Sequence, residues 1–453
     1  MTRNTKNLIA AKNKNHKAWV VAVDMGYGHD RAAFPLRFLN GGAVMHANNY
    51  QGIPAKDQRI WNQSQHFYET ISQATALPLV GGFLFSLFDK WQEIKQFYPK
   101  RDLSSPNFQT KQTYGLINKG WGKNLIETLN EDPKPLVTTF FVPAFMAEEH
   151  DYRGEIYCII CDTDIARNWA PLNPVSSRIQ YLVPTSRAVE RLQLYGVKSK
   201  NIFLTGFPLP KENIGGRDIK MIKTDLAVRI ANLDPARRFI DNYASVLREN
   251  IGEQVFRHDA DVRVRLTFAV GGAGAQKKLG GAILESLREK IKRRALRLNL
   301  IAGTRNDVYR YFCSVIDSLG LKRHLHKDIE IIYDETKTGY FEKFNTVLRA
   351  TDILWTKPSE LSFYCALGIP IIIAPPIGSQ EVFNHKWLVS IGSGIDQEDP
   401  RYTNEWLFDW LDSGWLAEAA YHGFIDAPKL GTYNIEEVVL GQRTHKEGRV
   451  ELL

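Results

Sequence analysis

Between an apolar stretch and a helical pattern, the chain reads Val23-Asp24-Met25-Gly26-Tyr27-Gly28-His29. Glycines at a strand-to-helix turn let a backbone approach a ligand closely, and the start of the following helix favours phosphate. His29 adds an imidazole that can act as acid, base or pyrophosphate ligand near neutral pH. The same run would also serve as a tight turn carrying an incidental histidine. The device recurs in Phe268-Ala269-Val270-Gly271-Gly272-Ala273-Gly274-Ala275-Gln276-Lys277. Its spacing is not that of a Walker P-loop. Two phosphate-type turns, each opening its own segment, point to a ligand with a phosphate or pyrophosphate group.

Such turns need parallel sheets to carry them. Strands are expected at 18–23, 136–141, 156–161, 180–183 and 201–205, and again at 265–270, 298–302, 329–333, 353–356 and 370–374. Short apolar runs alternate with helical patterns in both halves, which is the signature of parallel α/β structure. The reading is an α/β fold with two Rossmann-like domains facing a central cleft, since ligands bind beyond the carboxyl ends of such strands. The expected division is an N-terminal domain over 1–207, a helical linker over 208–261, a second domain over 262–403, and a C-terminal helix crossing back with a polar tail over 404–453. Residues 404–424 carry aromatic and aliphatic side chains at helical spacing, and the basic run 288–297 (REKIKRRALR) reads as a solvated helix face.

A third cluster comprises Thr356-Lys357-Pro358-Ser359-Glu360-Leu361, then Ala366-Leu367-Gly368-Ile369-Pro370, then Pro375-Pro376-Ile377-Gly378-Ser379-Gln380-Glu381-Val382-Phe383-Asn384. Taken in order with the two glycine loops, it resembles the GT-B fold glycosyltransferases related to monogalactosyldiacylglycerol synthase and to the lipid-II N-acetylglucosaminyltransferase of peptidoglycan assembly. Asp162-Thr163-Asp164, Tyr195-Gly196-Val197, Leu204-Thr205-Gly206-Phe207-Pro208 and Ala302-Gly303-Thr304-Arg305-Asn306 extend the likeness. It covers most of the chain apart from 55–134 and 208–261.

The resemblance implies transfer from a nucleotide-sugar, a UDP-sugar, with inversion and without an essential metal ion or other cofactor. It makes Gln380 and Glu381 ligands of the donor-sugar hydroxyls, with Asn384 one helical turn on. Gly271, Gly272, Ala273 and Gly274 would cradle the pyrophosphate, Lys357 would meet phosphate or sugar, and Arg305 would join the donor site. Gly26 and Gly28 would form the opposing loop, from which His29 reaches across as base or as a positioning hydrogen bond. Asp162 and Asp164 are the other candidates for the base. The sequence departs from the family at three places. Phe363 stands where the family carries a ribose-binding glutamate, with Glu360 three residues earlier as a substitute. Ser379 interrupts a Gly-Gln-Glu run, and Met25-Gly26-Tyr27-Gly28 is a loose version of the first loop.

Composition is consistent with this. The 453 residues are enough for two domains, and 44% hydrophobic with 24% charged residues excludes a disordered chain. A net charge of +8 suits an anionic partner, whether nucleic acid, nucleotide or acidic membrane. No nucleic-acid motif accompanies it, so none is expected as partner. Cys158 and Cys161 form a C-x-x-C pair inside an apolar run, which reads as buried strand, and a cytoplasmic location is the default. Residues 1–17 lack the apolar core of a signal peptide. The run 76–88 (ALPLVGGFLFSLF) is too short to span a bilayer, yet with the basic and aromatic residues behind it fits docking on an anionic membrane beside a lipid-like acceptor. A buried helical hairpin is the other reading. Two rival functions share the architecture: a nucleotide-sugar epimerase, and a catalytically silent binding protein.

Overall fold

The computed structural model describes residues 16–63, 94–257, 263–271, 274, 276–376 and 378–442. Two six-stranded sheets organise it, and every strand pair in both is parallel. The first contains β1 (Trp19–Ala22), β2 (Met45–His46), β3 (Leu136–Thr138), β4 (Ile156–Ile159), β5 (Gln180–Val183) and β6 (Ile202–Leu204), in the order β2-β1-β3-β4-β5-β6. The second contains β7 (Val264–Ala269), β8 (Leu296–Gly303), β9 (Ile329–Tyr333), β10 (Ile353–Thr356), β11 (Ile371–Ile373) and β12 (Gly394–Asp396), in the order β12-β11-β10-β7-β8-β9. Two doubly wound α/β units in one chain is the fold class expected from the sequence.

Central strands are buried on both faces, so they read as unbroken apolar runs instead of alternating ones. IYCI in β4, ILWT in β10 and III in β11 are covered throughout. Cys158 and Cys161 lie in and just beyond β4, both buried and in no disulfide, as the strand reading expects. Threonine and asparagine caps start several flanking helices. Asn107 accepts from Thr110 N, Thr185 from Ala188 N and Thr336 from Gly339 N, each satisfying an amide that the first helical turn leaves open.

The chain forms two compact units. One runs up to Pro208 and takes in the segment from Leu430 onward, while the other includes Leu209–Lys429. The single helix expected over 404–424 is two, Thr403–Ser413 and Trp415–Asp426, because Gly414 adopts φ +81° and ends the first of them. A further helix, Gly431–Val439, packs within the first unit. A Cβ at Gly431 would fall 2.0 Å from the Phe207 carbonyl oxygen, and Asn434 Nδ2 donates to Thr205 O at 2.9 Å. The basic run 288–297 is not one solvated helix face: the helix Arg288–Lys292 is short, and Arg297 lies on β8. Among the described residues no helix is long and apolar enough to cross a membrane. Residues 76–88 lie outside the described part.

Candidate functional site

In the first unit the strand order reverses between β1 and β3, and the crevice beyond the carboxyl ends of two such strands is where open α/β sheets receive ligands. The loop after β1 is pinned there by Asn48. Its Oδ1 accepts from Asp24 N at 2.9 Å, and its Nδ2 donates to Asp24 O at 3.1 Å. Gly26 takes φ +93°, which residues with a Cβ rarely adopt, and an added Cβ would meet nothing within 4 Å. Gly28 and His29 open the short helix Gly28–Ala33. His29 is half-buried, with its ring 4.8 Å from that of Phe140 and 6.2 Å from that of Trp169. Nδ1 lies 2.7 Å from the carbonyl oxygen of Thr139, just past β3. A carbonyl only accepts, so Nδ1 carries the proton and the neutral ring keeps its lone pair on Nε2. That is the tautomer a general base requires.

The two carboxylates expected beside it part company. Asp162 is half-buried in the turn after β4. Asp164 is 1% exposed, and its two oxygens accept from Arg191 Nε and NH2, each at 2.8 Å. Its Oδ1 also accepts from Ile165 N. A carboxylate committed to a fully covered arginine fixes the chain and is not presented to an acceptor hydroxyl. The assignment of Asp164 as a base is therefore withdrawn.

In the second unit the order reverses between β10 and β7. Here Gly271, two residues past β7, lies against the side chain of Lys357, which follows β10. A Cβ at Gly271 would fall 2.8 Å from Lys357 Cε, so the end of that side chain would have to shift. Lys357 Nζ pairs with Glu381 Oε1, in the first turn of the helix Ser379–Ser390. Gln380 sits beside it, half-buried. Gly274 turns at φ +71° within 3.7 Å of the Arg305 guanidinium, measured from an added Cβ. Arg305 Nε donates to Asp307 Oδ1 at 2.9 Å, and Lys277 Nζ lies 3.2 Å from Oδ2. The Arg305 hydrogen bond, with help from Lys277, holds the Asp307 carboxyl down to about 2. The carboxyl edge of this sheet therefore gathers three cations, Lys277, Arg305 and Lys357, each facing a carboxylate. Gly272 and Ala273 lie outside the described residues.

One sequence expectation is overturned. Asn384 is fully buried, and its Nδ2 donates to Pro358 O at 3.2 Å. It braces the turn that carries Lys357 and is not exposed to a donor sugar. Phe363, in the position of the ribose-binding glutamate, is core: 3% exposed, with its ring 5.2 Å from that of Trp387. Glu360 begins the 3₁₀ helix Glu360–Leu367 and is half-buried. Residues three apart on a 3₁₀ helix eclipse, so it stands directly over Phe363. The bracing residues Asn48, Thr139 and Arg191 escaped the sequence reading. Two act through or upon backbone carbonyls, and Arg191 is distant in sequence from its carboxylate.

Comparison with known proteins adds the following. A family model described as a domain of unknown function (DUF6938) matches residues 232–338. No curated protein matches. Among solved structures the chain is similar to MurG of Acinetobacter baumannii at 11% identity, covering 94% of this chain and 99% of that one, with a TM-score of 0.46. It is also similar to MnaA of S. aureus, solved with UDP, at 16% identity over 79% and 84%, with a TM-score of 0.44. A third is the UDP-GlcNAc 2-epimerase of Methanocaldococcus jannaschii, at 13% identity over 93% and 98%, with a TM-score of 0.40.

Proposed function

We propose that this chain is a glycosyltransferase that takes a sugar from a nucleotide-sugar, a UDP-sugar on the family resemblance, and transfers it with inversion to a hydroxyl acceptor without an essential metal ion. The observation that carries the reading is the lysine held over Gly271 at the switch point of the second sheet, beside Glu381 at a helix start. A lysine, glycine-shaped backbone and a helix N-terminus together suit a pyrophosphate and the sugar attached to it. In this reading the second unit binds the donor. Lys357 and Arg305 neutralise the leaving diphosphate, Gln380 donates to and accepts from sugar hydroxyls, and the Glu381 carboxylate accepts from them. His29 Nε2 takes the proton of the acceptor hydroxyl as its oxygen attacks the anomeric carbon. The bond from that carbon to the diphosphate oxygen breaks, and its electron pair leaves with UDP. Attack opposite the leaving group inverts the centre.

Calorimetry with UDP and UDP-sugars tests the donor assignment. Gln380→Ala and Glu381→Ala are expected to weaken UDP-sugar binding by about 1–3 kcal/mol, the cost of unpairing buried hydroxyls. Free UDP should bind at least as well to Glu381→Ala, because the charge of Lys357 is then less neutralised. Equal losses for both ligands would show that neither residue reads the sugar. Sugar conversion with no acceptor present would instead mark an epimerase, and binding without turnover a silent protein.

The acceptor side of the proposal is lipid-like, met by an enzyme resting on the inner, anionic face of a membrane. It rests on the apolar run 76–88 and the basic residues Lys90, Lys95, Lys100 and Arg101 that follow. Flotation with anionic liposomes is expected to show binding that fades with salt. Replacing Phe83, Leu84 and Phe88 by serine should reduce it in folded protein, and unchanged flotation refutes the docking role.

A further inference from the structure

The amino-terminal edge of the second sheet carries a cavity of about 230 Å³ whose chemistry the function above does not use. β7 and β8 pair so that Arg265 and Arg297 are direct register partners. Like charges facing each other across a parallel pair cost stability. Arg297 Nε is buried and has no hydrogen-bond partner among the described residues. Arg263 and Arg349 also line the cavity, and Arg229 closes its inner side. Arg229 is 2% exposed and is held by three carbonyl groups, those of Thr351, Leu367 and Gly368, at 2.7–3.1 Å.

The counter-charge is small. Asp225 is spent on Arg349, with both oxygens engaged at 2.9 and 3.0 Å. Asp352 accepts from Arg265 N and from Asn232 Nδ2, and burial pushes its carboxyl above the ordinary range. Arg263 NH1 lies 3.9 Å from Asp328 Oδ1, so five arginines face three carboxylates around a space equal to about eight waters at ~30 Å³ each. Arginine, with its planar fork of donors, is the side chain suited to tetrahedral oxyanions.

We infer that this cavity is a binding site for a small phosphate-type polyanion, of the size of pyrophosphate, separate from the nucleotide-sugar site. The two sites lie at opposite ends of β7, roughly 20 Å apart at the usual rise per strand residue. An anion between Arg265 and Arg297 removes their repulsion and supplies the acceptor that Arg297 Nε lacks.

The test uses the full chain and pyrophosphate, titrated calorimetrically at ionic strength held constant with sodium chloride. Lys357→Met first disables the site at the other end of the sheet. This variant is expected to bind pyrophosphate, and adding Arg297→Met should weaken that binding about tenfold or more, as loss of a charge-assisted pair does. Arg265→Gln should do the same, so the result does not hang on one variant folding. Without ligand, Arg297→Met should unfold at the same or a higher temperature than the parent, because a like-charge contact is gone. Orthophosphate binding alongside pyrophosphate would assign the site to single phosphoryl groups. Pyrophosphate binding that is unchanged by both arginine substitutions, or reproduced by sodium chloride alone, overturns the inference. Arginine-dependent binding in a chain that fails to bind any nucleotide-sugar would leave this site standing while the proposed function falls.

Discussion

Replacing His29 by alanine is expected to lower turnover by roughly two to four powers of ten, the range contributed by a positioned acid–base group. The reason lies in the hydrogen bond from Nδ1 to the Thr139 carbonyl, which sets the tautomer and aims the ring while leaving Nε2 basic. An imidazole needs no retuning to work as a base near neutral pH. Nucleotide-sugar affinity should change far less, because Lys357, Glu381 and Arg305 belong to the other unit. Steady-state kinetics with the acceptor, or slow hydrolysis of the donor in water, reads the first quantity, and calorimetry the second. Normal turnover in His29→Ala would move the search for the base to Asp162. Lost donor binding would make His29 a pyrophosphate ligand and remove its catalytic label.

The second large effect is on stability. Asp164→Ala strands the Arg191 guanidinium, 0% exposed, without its bidentate partner. Breaking a buried pair from one side typically costs about 3–5 kcal/mol, since the remaining charge is uncompensated. Urea unfolding should therefore show a lower midpoint at an unchanged slope. Replacing both residues by apolar ones, Asp164→Leu with Arg191→Met, should recover much of the loss, because no charge is then left buried. Arg191 also donates to Lys95 O at 2.9 Å, which caps that recovery. A loss below about 1 kcal/mol for Asp164→Ala, within the scatter of ordinary surface substitutions, would mean that the pair does not bear on stability. It would also return Asp164 to the list of possible bases.

These two residues illustrate what the sequence discloses and what it hides. All ten strands expected from apolar runs are present, displaced at most by a few residues at their ends. β2 and β12 were missed because Met45–His46 and Gly394–Asp396 are edge strands of two and three residues with little apolar content. Such strands are defined by their neighbours' hydrogen bonds and not by their own composition. The glycine loops were legible because chain geometry demands glycine locally, at Gly26 and Gly274 through a positive φ. Asp164 as a base and Asn384 as a sugar contact were expected from the family resemblance, which carries no information on burial. Their burial depends on Arg191 and Pro358, which only the fold brings near. The same holds for Arg265 and Arg297: nothing in their sequence separation of thirty-odd residues announces a parallel register that sets one against the other.

The helix Gly431–Val439, seated against Phe207 and Thr205, gives the molecule a particular order of assembly. The first unit is discontinuous in the chain: its strands all precede Pro208, and its helix Gly431–Val439 follows the whole of Leu209–Lys429. During synthesis at about 5–20 residues per second, the nascent first unit waits on the order of tens of seconds for that piece. Meanwhile the segment from Leu209 onward is made without interruption and holds all six strands of its own sheet. Its sheet can therefore form while the first unit, whose own six strands are already made, still lacks its last helix. Until Ile435, Val438 and Val439 emerge, the surface they cover stays open to solvent and to chaperones.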